Sequence, residues 1–185
     1  LPQHQETAYG TFAWSPLITI LVMFVASGVD EGALMWDPFS GRGHALGVAS
    51  AALHARAVGT EINVVTAAEA ENFIQAMTGP LIETGQVQVI AGSYQSGPVK
   101  EATHIFVYPA SEQLRGEFDG WLAAQEVKPG VQLMVLSDNP IENPDEALDS
   151  WPAIHATGNW ELVRTEPVYL RWFVLEYRPD DSSAT

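Results

Sequence analysis

Apolar residues in this chain come in runs, and the spacing of the runs changes along it. From Leu17 to Ala26 the run is unbroken, "LITILVMFVA". Ser15-Pro16 ahead of it offers an N-cap and a first-turn proline, and Gly28 offers a stop. Together they predict a buried helix ending near Ser27. Shorter apolar stretches predict five strands: Ala33 to Asp37, Ala57 to Glu61, Gln86 to Gly92, Thr103 to Pro109 and Val131 to Ser137. Between them, His44 to Arg56, Val64 to Met77 and Ser111 to Glu126 carry helical patterns. The polar, proline-bearing stretch Asp138 to Pro152 reads as a loop with a short helix. The stretch from Trp160 to Pro179 reads as two strands joined at Glu166-Pro167.

Strands and helices thus alternate through five rounds before a terminal hairpin. That alternation predicts an α/β fold: a mostly parallel sheet with helices on both faces. The 185 residues suit one domain with a full core. Residues 1–30 form its N-terminal helical segment, and residues 138–155 an inserted loop. Ligands in such sheets bind at the carboxyl ends of the strands, where strand order reverses. The first strand ends at Asp37, directly before "PFSGRG".

Composition narrows the chemistry. No cysteine is present, which excludes disulfides, thiolate metal sites and a cysteine nucleophile. A reducing compartment, the cytoplasm, is the expected location. The five histidines, His4, His44, His54, His104 and His155, lack metal-ligand spacing, so no metal is expected. The apolar run at Leu17 is about half the length that crosses a bilayer, so no membrane partner is expected. Acids outnumber bases 23 to 8, for a net charge of −15. Such a surface repels phosphate backbones, which counts against an unaided nucleic-acid binder.

Gly41 and Gly43 permit a tight turn and let a ligand lie against bare main chain. The following helix points free N–H groups at the same spot. Phosphate signatures fail there: no G-x-x-x-x-G-K-[ST] loop exists, and the third position of G-x-G-x-x-G is Leu46. The next strand ends in Glu61, where an acid suits a ribose. A ribose-bearing ligand that needs no phosphate cradle is S-adenosylmethionine (SAM), whose cation would favour Asp37. The same turn with a later acid also occurs in many α/β domains that bind other ligands or none.

"DPFSGRG" resembles the D-P-F-x-G-x-G signature of class I SAM-dependent methyltransferases, especially those that modify base amino groups in DNA or RNA. "RAVGTEIN" is similar to that family's next element, and "VKPGVQLMVLS" to its fifth-strand turn. "SPLITILVMFVASG" resembles the family's helix that closes over the methionine end. The resemblance implies a Rossmann-like fold and SAM as cofactor. It implies that Asp37, Phe39, Ser40, Gly41 and Gly43 line the methionine part, that Glu61 takes the ribose, and that Ile62 packs on the adenine. Gly92 and Ser93 end the third strand, where the family often has an acid that is missing here. His44 either faces the pocket or simply opens its helix.

At the fourth strand the family carries [DNS]-P-P-[YFW], whose acceptors hold the target amine and whose aromatic stacks on a flipped base. This chain has "VYPASE". Tyr108 and Pro109 remain as candidates on the catalytic side, while Val107 and Ala110 supply no acceptor. His104 reads as a core or edge histidine, and Glu112 either as a base just past Pro109 or as a routine first-turn helix acid. Tyr9 and Trp14 either cover the cofactor or pack, and Tyr94 and Tyr108 pack against either a substrate ring or the core. The expected function is a SAM-dependent methyltransferase related to nucleic-acid base methyltransferases, aided by a basic partner subunit if the acceptor is nucleic acid. The alternatives are a small-molecule methyltransferase, a non-catalytic partner subunit in a homo- or hetero-oligomer, and, more remotely, an acidic nucleic-acid mimic.

Overall fold

The computed structural model describes residues 6–7, 10–11, 17–78, 81–82, 85–108, 111–137, 144–166 and 172–179. Seven strands build one sheet: β1 (Leu34–Asp37), β2 (Arg56–Glu61), β3 (Val87–Ala91), β4 (His104–Val107), β5 (Gln132–Leu136), β6 (Trp160–Glu166) and β7 (Trp172–Tyr177). Their order is β3-β2-β1-β4-β5-β7-β6. The first five run parallel, and β7 is antiparallel to both β5 and β6. The mostly parallel sheet with an antiparallel terminal hairpin is as the sequence predicts. A short antiparallel pair, Glu6–Thr7 with Gly10–Thr11, lies apart from it.

Alternate strand residues face opposite sides, so each face has its own core. Met35, Phe106, Met134 and Val174 pack beneath α1 (Leu17–Ala26), α2 (His44–Leu53) and α3 (Val64–Thr78). Trp36, Ile105, Val107, Leu133, Val135 and Phe173 pack beneath α4 (Glu112–Ala123), α5 (Pro144–Asp149) and α6 (Pro152–Ala156). The chain leaves β1 toward one edge and returns at β4 on the other side of β1. The crevice at this reversal is where such sheets bind ligands.

Several local expectations need correction. α1 is not wholly buried. Ile20, Met23 and Phe24 are enclosed, but Ile18 is 67% and Val25 59% exposed, because the helix packs from one side only among the described residues. Its expected Ser15-Pro16 cap lies outside the described residues. α2 stops at Leu53 rather than Arg56: His54 takes a left-handed conformation at φ 58°, and the amide of Ala55 bonds back to the carbonyl of Ala49. No α-helix joins β3 to β4, so the alternation is broken there. A single 3-10 turn, Tyr94–Ser96, makes that crossing.

Where a loop with one short helix is expected after β5, two short helices stand. They are held from a distance. Asp119 of α4, only 2% exposed, accepts the amides of Ala153 at 2.8 Å and Ile154 at 2.9 Å, capping α6. His104 lies at the opposite end of the sheet from the strand tips. Its buried Nε2–H donates to the carbonyl of Ser27 at 3.1 Å and ties down the end of α1. Burial lowers its pKa, opposed by that hydrogen bond and by nearby Asp30. Among the described residues, no helix is long and apolar enough to cross a membrane.

Candidate functional site

The Asp-Pro pair after β1 makes the turn locally. Proline sets one dihedral, and Asp37 Oδ1 accepts the amide of Phe39 at 3.0 Å, closing an Asx turn. The chain then needs left-handed backbone twice, at Gly41 (φ 50°) and Gly43 (φ 77°). A Cβ on Gly43 would also fall 2.9 Å from Ile74 Cδ1 of α3. The amide of Gly43 bonds to the carbonyl of Ser40 at 2.7 Å, and α2 starts at the next residue. The first turn of α2, where a helix supplies its own N–H groups with no carbonyl, thus begins at the glycine turn.

β2 lies directly under this turn. The backbone at Gly59 is so close that a Cβ there would sit 2.6 Å from Ser40 Cβ. The amide of Ser40 donates to the carbonyl of Thr60 at 3.0 Å, and the Thr60 hydroxyl donates to the carbonyl of Pro38 at 2.9 Å. Glu61 then reaches across. Its Oε2 accepts the amide of Gly41 at 3.1 Å, and its Oε1 the amide of Asn63 at 2.8 Å. On the other side the carbonyl of Glu61 accepts the amide of Gly92 at 2.9 Å, joining the tips of β2 and β3.

The two acids share an unusual electrostatic setting. Asp37 is 3% exposed, and burial pushes its carboxyl from the ordinary 3.8 up to about 7. The Phe39 amide pulls it down, and the charge of Glu61 pushes it up further. Burial also raises Glu61, opposed by the amides of Asn63 and Gly41. Burial, more than their mutual charge, thus holds both carboxyls above the usual carboxylate range. Arg42, within the turn, pairs with Glu69 of α3 at 2.9 Å.

The described chain is similar to several solved structures. One is an RNA methyltransferase from Salinibacter ruber in complex with S-adenosyl-L-homocysteine, 20% identical, TM-score 0.66, covering 91% of this chain and 98% of that one. Another is P. horikoshii TYW2 in complex with MeSAdo, 16% identical, TM-score 0.67, covering 91% of this chain and 66% of that one. A third is the N,N-8-amino-8-demethyl-D-riboflavin dimethyltransferase RosA from Streptomyces davawensis, 17% identical, TM-score 0.60, covering 86% and 53%. The fold is that of the class I SAM-dependent methyltransferases. No family model matches the chain, and no curated protein matches its sequence.

Within this methyltransferase fold, Asp37, Ser40, Gly41, Gly43, Glu61 and Gly92 are linked by the short contacts above into one corner. Ile62, at the tip of β2, is 56% exposed. Ser93 caps the 3-10 turn, accepting the amide of Gln95 at 3.3 Å. The Phe39 ring turns the other way. It meets Tyr94 at 5.7 Å and Phe118 at 5.3 Å, both edge-to-face, and Tyr94 in turn meets Trp121 edge-to-face at 5.2 Å. The His44 ring lies against Phe73 of α3 at 4.8 Å, and burial with the charge of Arg42 lowers its pKa.

Tyr108 is half-buried at the end of β4, against the core beneath α1 to α3. Pro109, Ala110, Tyr9 and Trp14 lie outside the described residues. Glu112 is exposed on the first turn of α4, whose N-cap is Ser111. Two participants escaped the sequence reading. Asn63 caps α3 by accepting the amide of Val65 at 3.0 Å, a signal visible as an Asn just ahead of a helical pattern. Thr60 gave none, because a threonine in a strand reads as an ordinary strand former.

Proposed function

We propose that this protein is a SAM-dependent methyltransferase. The observation that carries the reading is the pair of acids at the tips of adjacent strands, Asp37 and Glu61, flanking a glycine turn of bare main chain. Burial raises both carboxyls, so a cation placed beside them would favour their charged forms. A phosphate ligand would add charge of the wrong sign to this corner. A ligand with an ammonium, a sulfonium and a ribose diol answers it. Asp37 and the main chain from Ser40 to Gly43 would hold the charged methionine end. Glu61 would take the ribose hydroxyls, with Ile62 and the Gly92-Ser93 tip beside the adenine.

When bound, SAM supplies a methyl group on a sulfonium sulfur, open to in-line displacement by a nucleophile of the acceptor. The protein's own part is to orient both reactants and exclude water, which can account for most of the acceleration in a displacement of this kind. Tyr108 and Pro109 would line the acceptor's approach. Val107 and Ala110 bring no side-chain acceptor for a target proton, which suits a nucleophile that is already neutral and gives its proton to water after the transfer. The net charge of −15 favours a small or basic acceptor, or a nucleic acid delivered by a basic partner subunit. The structural neighbours named as an RNA methyltransferase and as an amino-demethyl-riboflavin dimethyltransferase leave both acceptor classes open.

The same lack of acceptors at Val107 and Ala110 supports one further reading, a SAM-binding subunit without its own activity. Two experiments test the proposal. Titration calorimetry with SAM should give saturable binding, and its absence ends both readings. Transfer of labelled methyl from SAM is then followed into RNA, DNA and a metabolite extract, with and without candidate partner proteins. Label in any pool supports the enzyme; binding without label in every pool leaves only the subunit.

A further inference from the structure

The Pro38–Phe39 peptide unit is held at both ends. Its carbonyl, on Pro38, accepts the Thr60 hydroxyl at 2.9 Å. Its N–H, on Phe39, donates to Asp37 Oδ1 at 3.0 Å. The hydroxyl is therefore two hydrogen bonds away from the buried carboxylate. Thr60 is fully buried, and so is the contact it makes. The carbonyl of the same residue accepts the amide of Ser40 at 3.0 Å and its hydroxyl at 3.3 Å. One residue of β2 thus grips the turn on both sides of Phe39.

Resting on the methyltransferase reading, we propose that Thr60 is a positioning residue for the cofactor site: its hydroxyl fixes the plane of the Pro38–Phe39 peptide and, through it, the carboxylate of Asp37. A peptide plane free to rotate would take its N–H away from Asp37. A buried carboxylate without that donor is harder to ionise, and the charged form is the one that attracts a cation. Hydrogen bonds in series also polarise one another, so the hydroxyl strengthens the donor it does not touch. The charged group that bears on Asp37 from the neighbouring strand is Glu61, and it acts in the opposite sense to the amide. The effect of Thr60 is thus separable from that of Glu61.

The test compares Thr60→Val, which keeps the shape and removes the hydroxyl, with Thr60→Ser, which keeps the hydroxyl. SAM affinity is measured by calorimetry from pH 5.5 to 8.5, and the Asp37 carboxyl is titrated by carbon NMR without ligand. The valine variant should bind SAM about fivefold more weakly at pH 7, the fold-change that follows when the Asp37 midpoint rises by about one pH unit and only the charged form binds. Its Asp37 midpoint and the pH midpoint of binding should both move upward. The serine variant should restore both. If valine lowers the melting temperature but leaves affinity and both midpoints unchanged, Thr60 is merely structural and the proposal fails. If wild type binds no SAM, the methyltransferase reading fails, and an unshifted Asp37 titration in the valine variant still overturns the positioning role. Should the valine variant not fold, Thr60→Cys, a weaker donor of similar size, should give a smaller shift in the same direction; no shift counts against the proposal.

Discussion

Glu61 spans from the tip of β2 to the glycine turn, where its carboxylate accepts the amide of Gly41 at 3.1 Å. The acid that would meet a ribose is therefore already oriented, with one oxygen on the turn and the other on the amide of Asn63. Preorganisation of this kind lowers the ordering cost of binding. It also predicts the result of removing the charge. Glu61→Gln should weaken SAM binding about 10- to 100-fold, as expected for the loss of a charged hydrogen bond of roughly 1.5–3 kcal/mol. Calorimetry checks it, and an unchanged affinity would put the ribose elsewhere.

Asp37→Asn should separate stability from binding. Between about pH 4 and pH 7 the folded carboxyl keeps its proton while the unfolded one has lost it. The folded state then binds more protons, so wild-type stability falls as pH rises through this window and levels off above it. Over about three pH units the loss approaches roughly 4 kcal/mol. The amide variant carries no such term and can still accept the Phe39 N–H. It should outlast wild type in urea at pH 8, with an advantage that shrinks toward pH 4, and should bind SAM poorly. Equal stability at both pH values would mean that Asp37 is ionised without strain.

Gly43→Ala brings together two penalties, a left-handed backbone and a Cβ 2.9 Å from Ile74 Cδ1. A loss of about 1–3 kcal/mol is expected. Ile74→Val removes the clashing methyl. The double variant should recover part of the loss, visible as a coupling of about 0.5 kcal/mol or more in a double-mutant cycle by denaturant titration. Strict additivity would indicate that the backbone angle alone forbids alanine.

Asp119→Ala should release α6. Two buried or half-buried amides, those of Ala153 and Ile154, would lose their acceptor. Each unsatisfied donor costs about 1–3 kcal/mol. Hydrogen exchange should show these amides and the segment from Trp151 to Gly158 losing protection ahead of the central strands. Uniform loss across the whole molecule would mean that α6 and the sheet unfold as one unit.

These cases also mark what could be read from the sequence. The glycine turn, the acid at Glu61 and the parallel order were legible because each is fixed within a few residues: Asp-Pro closes its own turn, and two close glycines permit left-handed backbone. The stop at His54 was not legible, since no glycine marks it and a histidine there must tolerate φ 58°. The exposed outer face of α1 was hidden too. An all-apolar helix suggests full burial, yet only the packing reveals which side is covered. Asp119 sits in a helical pattern with no local sign of its capping role. Its partners lie 34 and 35 positions onward, beyond any local pattern.

The Phe39 ring belongs to the turn, but its neighbours are Tyr94 and Phe118, with Trp121 5.6 Å from Phe118 and Trp36 5.9 Å from Trp121. A shift of the turn is therefore felt by two indoles. These rings make the corner an optical gauge in prospect: SAM binding there should register as a change in intrinsic fluorescence without any attached dye.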